Sequence, residues 1–204
     1  MAKTYHIRKA ESADLPLQSK AWEQAESAWI DCFPWDESGF KPKTEVRGLY
    51  DANGLGVRFI SDEVPVVVKA DKLNGTTYKD SCVEFFFNAA PETSQNYMNF
   101  EINAAGVFLL GFGSCREARS ELYDIDVNQF HIEHEVNERN WQVKIYIPFA
   151  FLKRFYPEVS NHMKGNFQKC GDDTPRPHYG MWNPIKAAEP DFHRPECFGE
   201  LILE

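Results

Sequence analysis

Alternation of apolar and polar residues with a period of two runs through most of this 204-residue chain. Such alternation is typical of β-strands, because successive side chains of a strand point to opposite faces of the sheet. The segments that carry it are residues 44–51, 55–61, 81–88, 97–103, 129–136, 141–147 and 198–203, and residues 106–112 are apolar on both faces, as in a central strand. Many short strands with turn residues between them predict an all-β chain folded as an antiparallel, jelly-roll-like β-sandwich.

Two local patterns refine this prediction. Ala52-Asn53-Gly54 separates segments 44–51 and 55–61, and an Asn-Gly pair between alternating segments is a strong hairpin signal. Residues 17–32 instead repeat apolar side chains at three- and four-residue spacing, through Trp22, Ala25, Trp29 and Cys32. That spacing predicts a short N-terminal helical lead-in with one buried face.

Length and charge limit the classes of function. Residues 1–204 are predicted to form a single domain. The formal net charge of −9 argues against a nucleic-acid or anionic-membrane partner, and no apolar run is long enough to span a bilayer. The N-terminus lacks the apolar region of a secretory signal, so we expect a cytoplasmic protein, or a secreted or periplasmic one if a signal has been removed. The five cysteines have no paired spacing, which favours reduced thiols.

Strands 81–88 and 97–103 combine an apolar face with an unusual polar face. The side chains predicted to face the core are Val83, Phe85, Phe87, Met98, Phe100 and Ile102. The opposite face carries Glu84, Asn88, Tyr97, Asn99, Glu101 and Asn103, with Asp80 at the strand entrance. Alternating carboxylates and amides can accept from and donate to several hydroxyl groups at once. The alternative is an ordinary solvated sheet face.

A late segment, residues 169–185, concentrates aromatic and hydrogen-bonding side chains between prolines and glycines. Tyr179 and Trp182 stand there beside Arg176, His178 and Asn183. Proline and glycine disfavour a helix or a central strand, so we expect a loop to hold the two aromatic rings. An apolar ring face beside directional hydrogen-bonding groups suits a sugar ring. The alternative is a loop that tucks its own tryptophan under the fold as a plug.

Several of these segments resemble the family 9 carbohydrate-binding modules. The similarity lies in residues 78–86 (YKDSCVEFF), 97–106 (YMNFEINAAG), 182–184 (WNP) and 198–201 (FGEL), and residues 44–51 are similar to stand-alone members of that group. The resemblance implies a DOMON-like β-sandwich that binds sugars without chemistry, through an aromatic clamp. It places the clamp at Tyr78 and Trp182, and the acidic residue of the clamp-side strand at Glu84. The hydroxyl-bonding residues would then be Glu84, Asn99, Glu101, Arg176, His178 and Asn183, with Tyr179 in the same site.

The same residues also allow other interpretations. Glu84 and Glu101 lie on neighbouring strands and could form the carboxylate pair of a glycan hydrolase, whose carboxyls stand about 5–5.5 Å or 6.5–9.5 Å apart. Arg116 and Arg119 follow a glycine-rich turn and could reach the sugar site across the sheet. We expect no organic cofactor; the resemblance leaves structural calcium possible, at residues 124–128 or at Asp172-Asp173. The binding partner is expected to be a carbohydrate, and a protein partner is left unspecified.

Overall fold

A computed structural model describes residues 2–204 and contains thirteen strands within that range. The strands are β1 (Thr4–Lys9), β2 (Ala28–Ile30), β3 (Thr44–Tyr50), β4 (Gly54–Ser61), β5 (Cys82–Asn88), β6 (Tyr97–Asn103), β7 (Phe108–Gly113), β8 (Ser120–Glu121), β9 (Glu133–Val136), β10 (Trp141–Pro148), β11 (His162–Cys170), β12 (Tyr179–Met181) and β13 (Gly199–Leu203). The helices are one α-helix, α1 (Phe149–Leu152), and 3-10 helices at Lys20–Gln24, Thr77–Lys79, Val127–Phe130 and Pro195–Cys197. Within residues 2–204, every helix is too short or too polar to cross a membrane.

The strands form two sheets that share β1. Sheet 1 runs β8-β7-β6-β5-β11-β13-β1, with β12 added on β11. Sheet 2 runs β1-β3-β4-β10-β9, with β2 added on β3. The first part of β1 pairs with β13 and its last two residues pair with β3, both in parallel. The expected all-β class is confirmed, whereas a purely antiparallel arrangement is wrong at these two pairings.

The apolar faces of the two sheets pack against each other. Phe59 of sheet 2 lies 6.0 Å from Phe167 of sheet 1, between ring centroids, and Phe167 stacks on Phe85 at 5.0 Å. The six side chains predicted to face the core, Val83, Phe85, Phe87, Met98, Phe100 and Ile102, are all fully buried. The apolar residues that alternate along segment 141–147 are fully buried too: Trp141, Val143, Ile145 and Ile147. The predicted hairpin is also present, with β3 and β4 antiparallel and Tyr50 opposite Leu55.

The expected helix at residues 17–32 is wrong. A five-residue 3-10 helix, Lys20–Gln24, holds the buried Trp22, and the chain then enters strand β2. Trp29, which the helical spacing had placed on the buried face, is 38% exposed. Strand β2 pairs with β3 and alternates buried, exposed and buried residues. Strand pairing therefore satisfies the backbone here and overrides the helical spacing. The fold begins with strand β1 and not with the expected helical lead-in.

The polar face of β5 and β6 is covered, so the solvated-face alternative is wrong. Every residue of both strands is buried. The chain from 183 to 198 lies over this face and contributes Phe192 and Phe198 to a second apolar cluster, together with Phe86 and Tyr97. Charged and amide side chains of β5 and β6 are thereby enclosed between a sheet and a covering segment, which we call the strap (residues 183–198).

Candidate functional site

A cavity of about 280 Å³ lies between the polar face of sheet 1 and the strap. Its aromatic lining is Tyr78, Tyr179, Phe192 and His193, and its charged lining is Glu84, Glu101, Arg116, Arg119, Asp172 and Asp191. Cys170 and Pro190 complete it. A cavity of this kind, with rings and a few convergent polar groups, is typical of a small-ligand site.

Strand register places the two glutamates at the floor of the cavity. Glu84 on β5 is the direct cross-strand partner of Glu101 on β6, and both side chains are 3% exposed. Burial raises the pKa of Glu101 to about 7, with the Arg119 guanidinium acting in the opposite direction. Burial and then the neighbouring Glu101 raise the pKa of Glu84 well above its ordinary value. Near pH 7 the two carboxyl groups are therefore partly protonated, and the pair does not carry two full negative charges.

Two arginines approach this pair from the turn between β7 and β8. Arg119 Nη1 lies 3.8 Å from Glu101 Oε1, and Arg116 Nη2 donates to Asp191 Oδ1 at 2.7 Å. The close approach depends on Gly111, because a Cβ there would lie 2.6 Å from Asn99 Oδ1 and 2.9 Å from Arg119 Nη1. The glycine thus lets a guanidinium reach the sheet surface beside an amide and a carboxylate.

The strap is fixed to the sheet by a buried hydrogen bond beside the cavity. Tyr97 Oη and His193 Nδ1 are 2.7 Å apart, and both residues are buried. Burial and the nearby Arg119 lower the pKa of His193 to about 3. His193 is therefore neutral near pH 7 and can share this hydrogen bond without carrying a charge.

Four of the nine expected site residues line the cavity: Tyr78, Glu84, Glu101 and Tyr179. Asn99 lies directly behind them, since its Nδ2 donates to Glu101 Oε1 at 2.9 Å. Tyr78 and Tyr179 flank the end of β11, where Cys170 faces Tyr179 in the register and its Sγ lies 3.4 Å from the Tyr78 carbonyl oxygen. The structure thus brings together the carboxylate strand pair and one aromatic ring from each flank.

The structure places Trp182 in the core rather than at the cavity. The side chain is 4% exposed and lies edge-on to Tyr5, 6.3 Å away between centroids. It also packs 5.7 Å from Phe167. Trp182 thus belongs to the main core between the sheets, whereas Tyr179 and Phe192 belong to the second apolar cluster beside the cavity. The alternative interpretation, in which the late segment buries its own tryptophan in the fold, is therefore the one that Trp182 follows.

The remaining late-segment residues also have structural partners away from the cavity. Arg176 lies over the ring of Phe40 at 3.6 Å and donates to the Val64 carbonyl. Asn183 accepts from the Lys3 amide and donates to the Cys197 carbonyl, each at 2.7 Å.

His178 is buried against an internal ion pair. Its Nε2 lies 2.8 Å from Lys169 Nζ, which pairs with Glu63 Oε2 at 2.9 Å. Burial and Lys169 lower the pKa of His178 to about 4, so the imidazole is neutral near pH 7. Lys169 itself belongs to β11, a central strand, and Tyr179–Met181 form β12. The expectation of a continuous loop from 169 to 185 is therefore wrong at 169–170 and at 179–181, whereas 171–178 and 182–185 are irregular chain.

The alternation pattern could not find the lining residues of the strap. Pro190, Asp191, Phe192 and His193 lie in irregular chain before the 3-10 helix Pro195–Cys197, and their side chains reach the cavity only through tertiary packing. A compact Asp-Phe-His cluster between Pro190 and Pro195 is the one local signal that marks this segment. The sequence left open that Arg116 and Arg119 could reach the site, and the structure places both in the lining.

The carboxylates of the two acidic segments considered for calcium have the following contacts in the described residues. Asp126 caps the 3-10 helix Val127–Phe130 by accepting from the Asn128 amide. Asp172 lines the cavity, whereas Asp173 is exposed and pairs with Lys79 at 3.6 Å. Burial, reinforced by the neighbouring Asp173, raises the pKa of Asp172 to about 6. Structural calcium at either segment stays a prediction, since Ca²⁺ takes six to eight oxygen ligands, including backbone carbonyls and water.

The fold and the cavity define a β-sandwich with a candidate small-ligand cavity at one face. The chain belongs to carbohydrate-binding family 9, whose model matches residues 17–203. A comparison with curated proteins gives no match.

Solved structures share the fold over the full chain. A provisionally named carbohydrate-binding protein from Bacteroides uniformis is 25% identical, with a TM-score of 0.89 and coverage of 100% of both chains. A family 9 carbohydrate-binding module from Caldicellulosiruptor kristjanssonii has been solved with glucose and with cellotriose. Each of these two structures is 14% identical to this chain and has a TM-score of 0.68. Each match covers 99% of this chain; it covers 96% of the module chain in the glucose complex and 94% in the cellotriose complex.

Proposed function

We propose that this protein binds a carbohydrate without chemistry, in the cavity between sheet 1 and the strap. Family membership supports the class of ligand. The observation that carries the proposal is the cavity itself, in which three aromatic rings and an imidazole stand beside four carboxyl groups and two guanidinium groups. Rings can cover the apolar C–H faces of a sugar, and the charged groups can bond its hydroxyls.

The aromatic contacts of this site are assigned to Tyr78 and Tyr179. Both rings are partly exposed to the cavity, and they come from opposite sides of the end of β11. Tyr78 keeps the position that the family resemblance gave to the first clamp ring. Tyr179 takes the role first expected of Trp182, and Phe192, 6.5 Å from Tyr179 between centroids, supports its ring from the strap.

Hydroxyl recognition is assigned to Arg119 and Glu101. Arg119 Nη1 is buried and has no hydrogen-bond partner within residues 2–204. Glu101 Oε1 already accepts from Asn99 and faces the same arginine. A sugar hydroxyl can accept from the guanidinium and donate to the carboxyl at the same time, which satisfies a buried donor that the protein leaves free.

Calorimetric titration with glucose and cellotriose tests the proposal. We expect micromolar to millimolar dissociation constants for the wild type. Tyr179→Ala and Tyr78→Ala should each weaken binding by about tenfold, because stacking contributes about 0.5–1.5 kcal/mol beyond area burial. The matched control is Tyr123→Ala, since Tyr123 is 67% exposed and lies outside the cavity lining. Absence of heat with these sugars and with a wider panel of mono- and disaccharides, or an equal loss in Tyr123→Ala, would contradict the proposal.

A glycan hydrolase that uses Glu84 and Glu101 is the second candidate. It is favoured by one observation, that the two carboxyls are opposite each other and desolvated, as a general acid must be. Release of reducing sugar from cellotriose by wild-type protein, abolished in Glu84→Gln, would support the hydrolase. Binding heat without product release would support binding alone.

A further inference from the structure

Three potential metal ligands meet at the floor of the cavity. Cys82 on β5 and Cys170 on β11 are direct cross-strand partners, and Glu84 lies two residues after Cys82 on the same face of its strand. The Sγ atoms of both cysteines and a carboxylate oxygen of Glu84 all lie within 4.8 Å of one another. Cys170 Sγ donates to Glu84 Oε1 at 3.0 Å.

Burial makes this cluster unusual. Cys82, Cys170 and Glu84 are 0%, 1% and 3% exposed. Two buried thiols alone would be small apolar core residues. The glutamate is different, because its Oε2 is buried and has no hydrogen-bond partner anywhere in residues 2–204. A buried carboxyl oxygen without a partner is costly, and the partner of Oε1 is only a weak thiol donor. The cluster therefore has donor atoms for a cation and one oxygen that nothing in the protein satisfies.

We propose that Cys82, Cys170 and Glu84 bind a thiophilic divalent cation of the Zn²⁺ class. Two thiolates and one carboxylate match the sulfur and oxygen ligands that zinc accepts. Soft thiolates disfavour Ca²⁺ and Mg²⁺, so this site is distinct from the structural calcium considered from the sequence. On binding, the protons of the two thiols and of any protonated Glu84 leave to solvent, and no atom changes oxidation state.

The cavity gives the cation its route of access. Glu84 and Cys170 both line the cavity, whereas Cys82 lies behind them. With three protein ligands, a four-coordinate cation keeps one position for water or a ligand hydroxyl. The ring contacts of Tyr78 and Tyr179 and the free donor of Arg119 do not belong to this cluster. Metal binding and the proposed sugar contacts therefore depend on different side chains, and each can be tested without the other.

Titration of reduced wild-type protein with Co²⁺, in a buffer with a non-thiol reductant, tests the proposal. We expect one Co²⁺ per chain, a thiolate-to-cobalt charge-transfer band in the near ultraviolet, and loss of that band when Zn²⁺ is added. We also expect Zn²⁺ to raise the melting temperature, because it binds the folded state. A wild-type protein that gives no charge-transfer band would overturn the proposal without any variant.

Variants locate the site. Cys82→Ser and Cys170→Ser should each weaken Co²⁺ binding by about 100-fold or more, and Glu84→Gln by about tenfold. Cys115→Ser is the matched control, because Cys115 is a free, half-buried cysteine outside the cluster. Far-ultraviolet circular dichroism identifies variants that remain folded. If Glu84→Gln and whichever cysteine variants fold keep the wild-type band and affinity, or if Cys115→Ser loses the band, the metal is held elsewhere and the assignment is wrong.

Discussion

At the scale of single residues, the contrast between Trp182 and Tyr179 decides how the site is built. They stand three positions apart, yet Tyr179 lines the cavity and Trp182 packs against Tyr5 and Phe167. Composition could predict that this segment supplies an aromatic contact. It could not predict which ring, because Tyr179 pairs through β12 with the end of β11 only in the folded chain.

Trp182→Ala should lower the free energy of unfolding by about 3–5 kcal/mol, because it leaves a large cavity in the core. Denaturant titration followed by circular dichroism measures this. Trp182→Phe keeps a ring in the core and should bind sugar with wild-type affinity. A folded Trp182→Phe that no longer binds would show that the indole contacts the ligand, contrary to the structure.

The protonation of Glu101 gives a prediction about pH. Its pKa is raised from 4.5 to about 7 in the folded protein, mainly by burial. The protonated form is therefore favoured by folding, so its contribution to stability is full below about pH 4.5 and is lost as pH rises through about 7. Glu101→Gln imitates the protonated carboxyl and cannot titrate. Relative to wild type, its unfolding free energy should rise by on the order of 2 kcal/mol between those pH values.

Denaturant titrations at several pH values from below 4.5 to above 7 check this difference. The control is Glu117→Gln, which changes a carboxyl on the exposed surface. Its stability should follow the wild-type pH profile. A Glu101→Gln profile parallel to that of the wild type would mean that folding leaves the pKa of Glu101 unchanged, contrary to this prediction.

At the scale of elements, strands with one apolar face were predictable and strands with polar inward residues were not. Strand β6 was predicted at its observed bounds, Tyr97–Asn103, because apolar residues alternate along it. Strand β11 was missed, although it is central to sheet 1. Its buried residues include Asn166, Gln168 and Lys169. Asn166 donates to the Asn183 carbonyl, and Lys169 pairs with Glu63, so these polar groups have partners distant in sequence. Period-two alternation cannot reveal a strand whose buried side chains are polar.

The same distinction explains how much of the site was predictable. Glu84, Asn99 and Glu101 share a sheet face because the period of a strand is two, and that face follows from the sequence. The strap and the turn that carries Arg119 are positioned by tertiary contacts, such as the Tyr97–His193 hydrogen bond and the space left by Gly111. The residues at the floor of the cavity could therefore be predicted from strand periodicity, whereas the residues of its walls could not.

At the scale of the whole molecule, β1 joins the two sheets, and Tyr5 secures that joint. The first four residues of β1 pair with β13, and its last two pair with β3. The Tyr5 hydroxyl donates to the Glu26 carbonyl at 2.6 Å and accepts from the Gly48 amide at 2.8 Å. Its ring packs edge-on to Phe167 of sheet 1. One side chain thus contacts both halves of the sandwich, so the halves should unfold together.

Tyr5→Phe should lower the free energy of unfolding by about 1–3 kcal/mol, because it leaves the buried Gly48 amide without an acceptor. The ring stays, so the two halves should still unfold in one transition. Tryptophan fluorescence samples both halves, through Trp141 in sheet 2 and Trp182 beside sheet 1, and it should coincide with circular dichroism. Tyr123→Phe, at an exposed tyrosine, should leave stability unchanged. Two separated transitions in the wild type would mean that β1 joins the sheets without making them one cooperative unit.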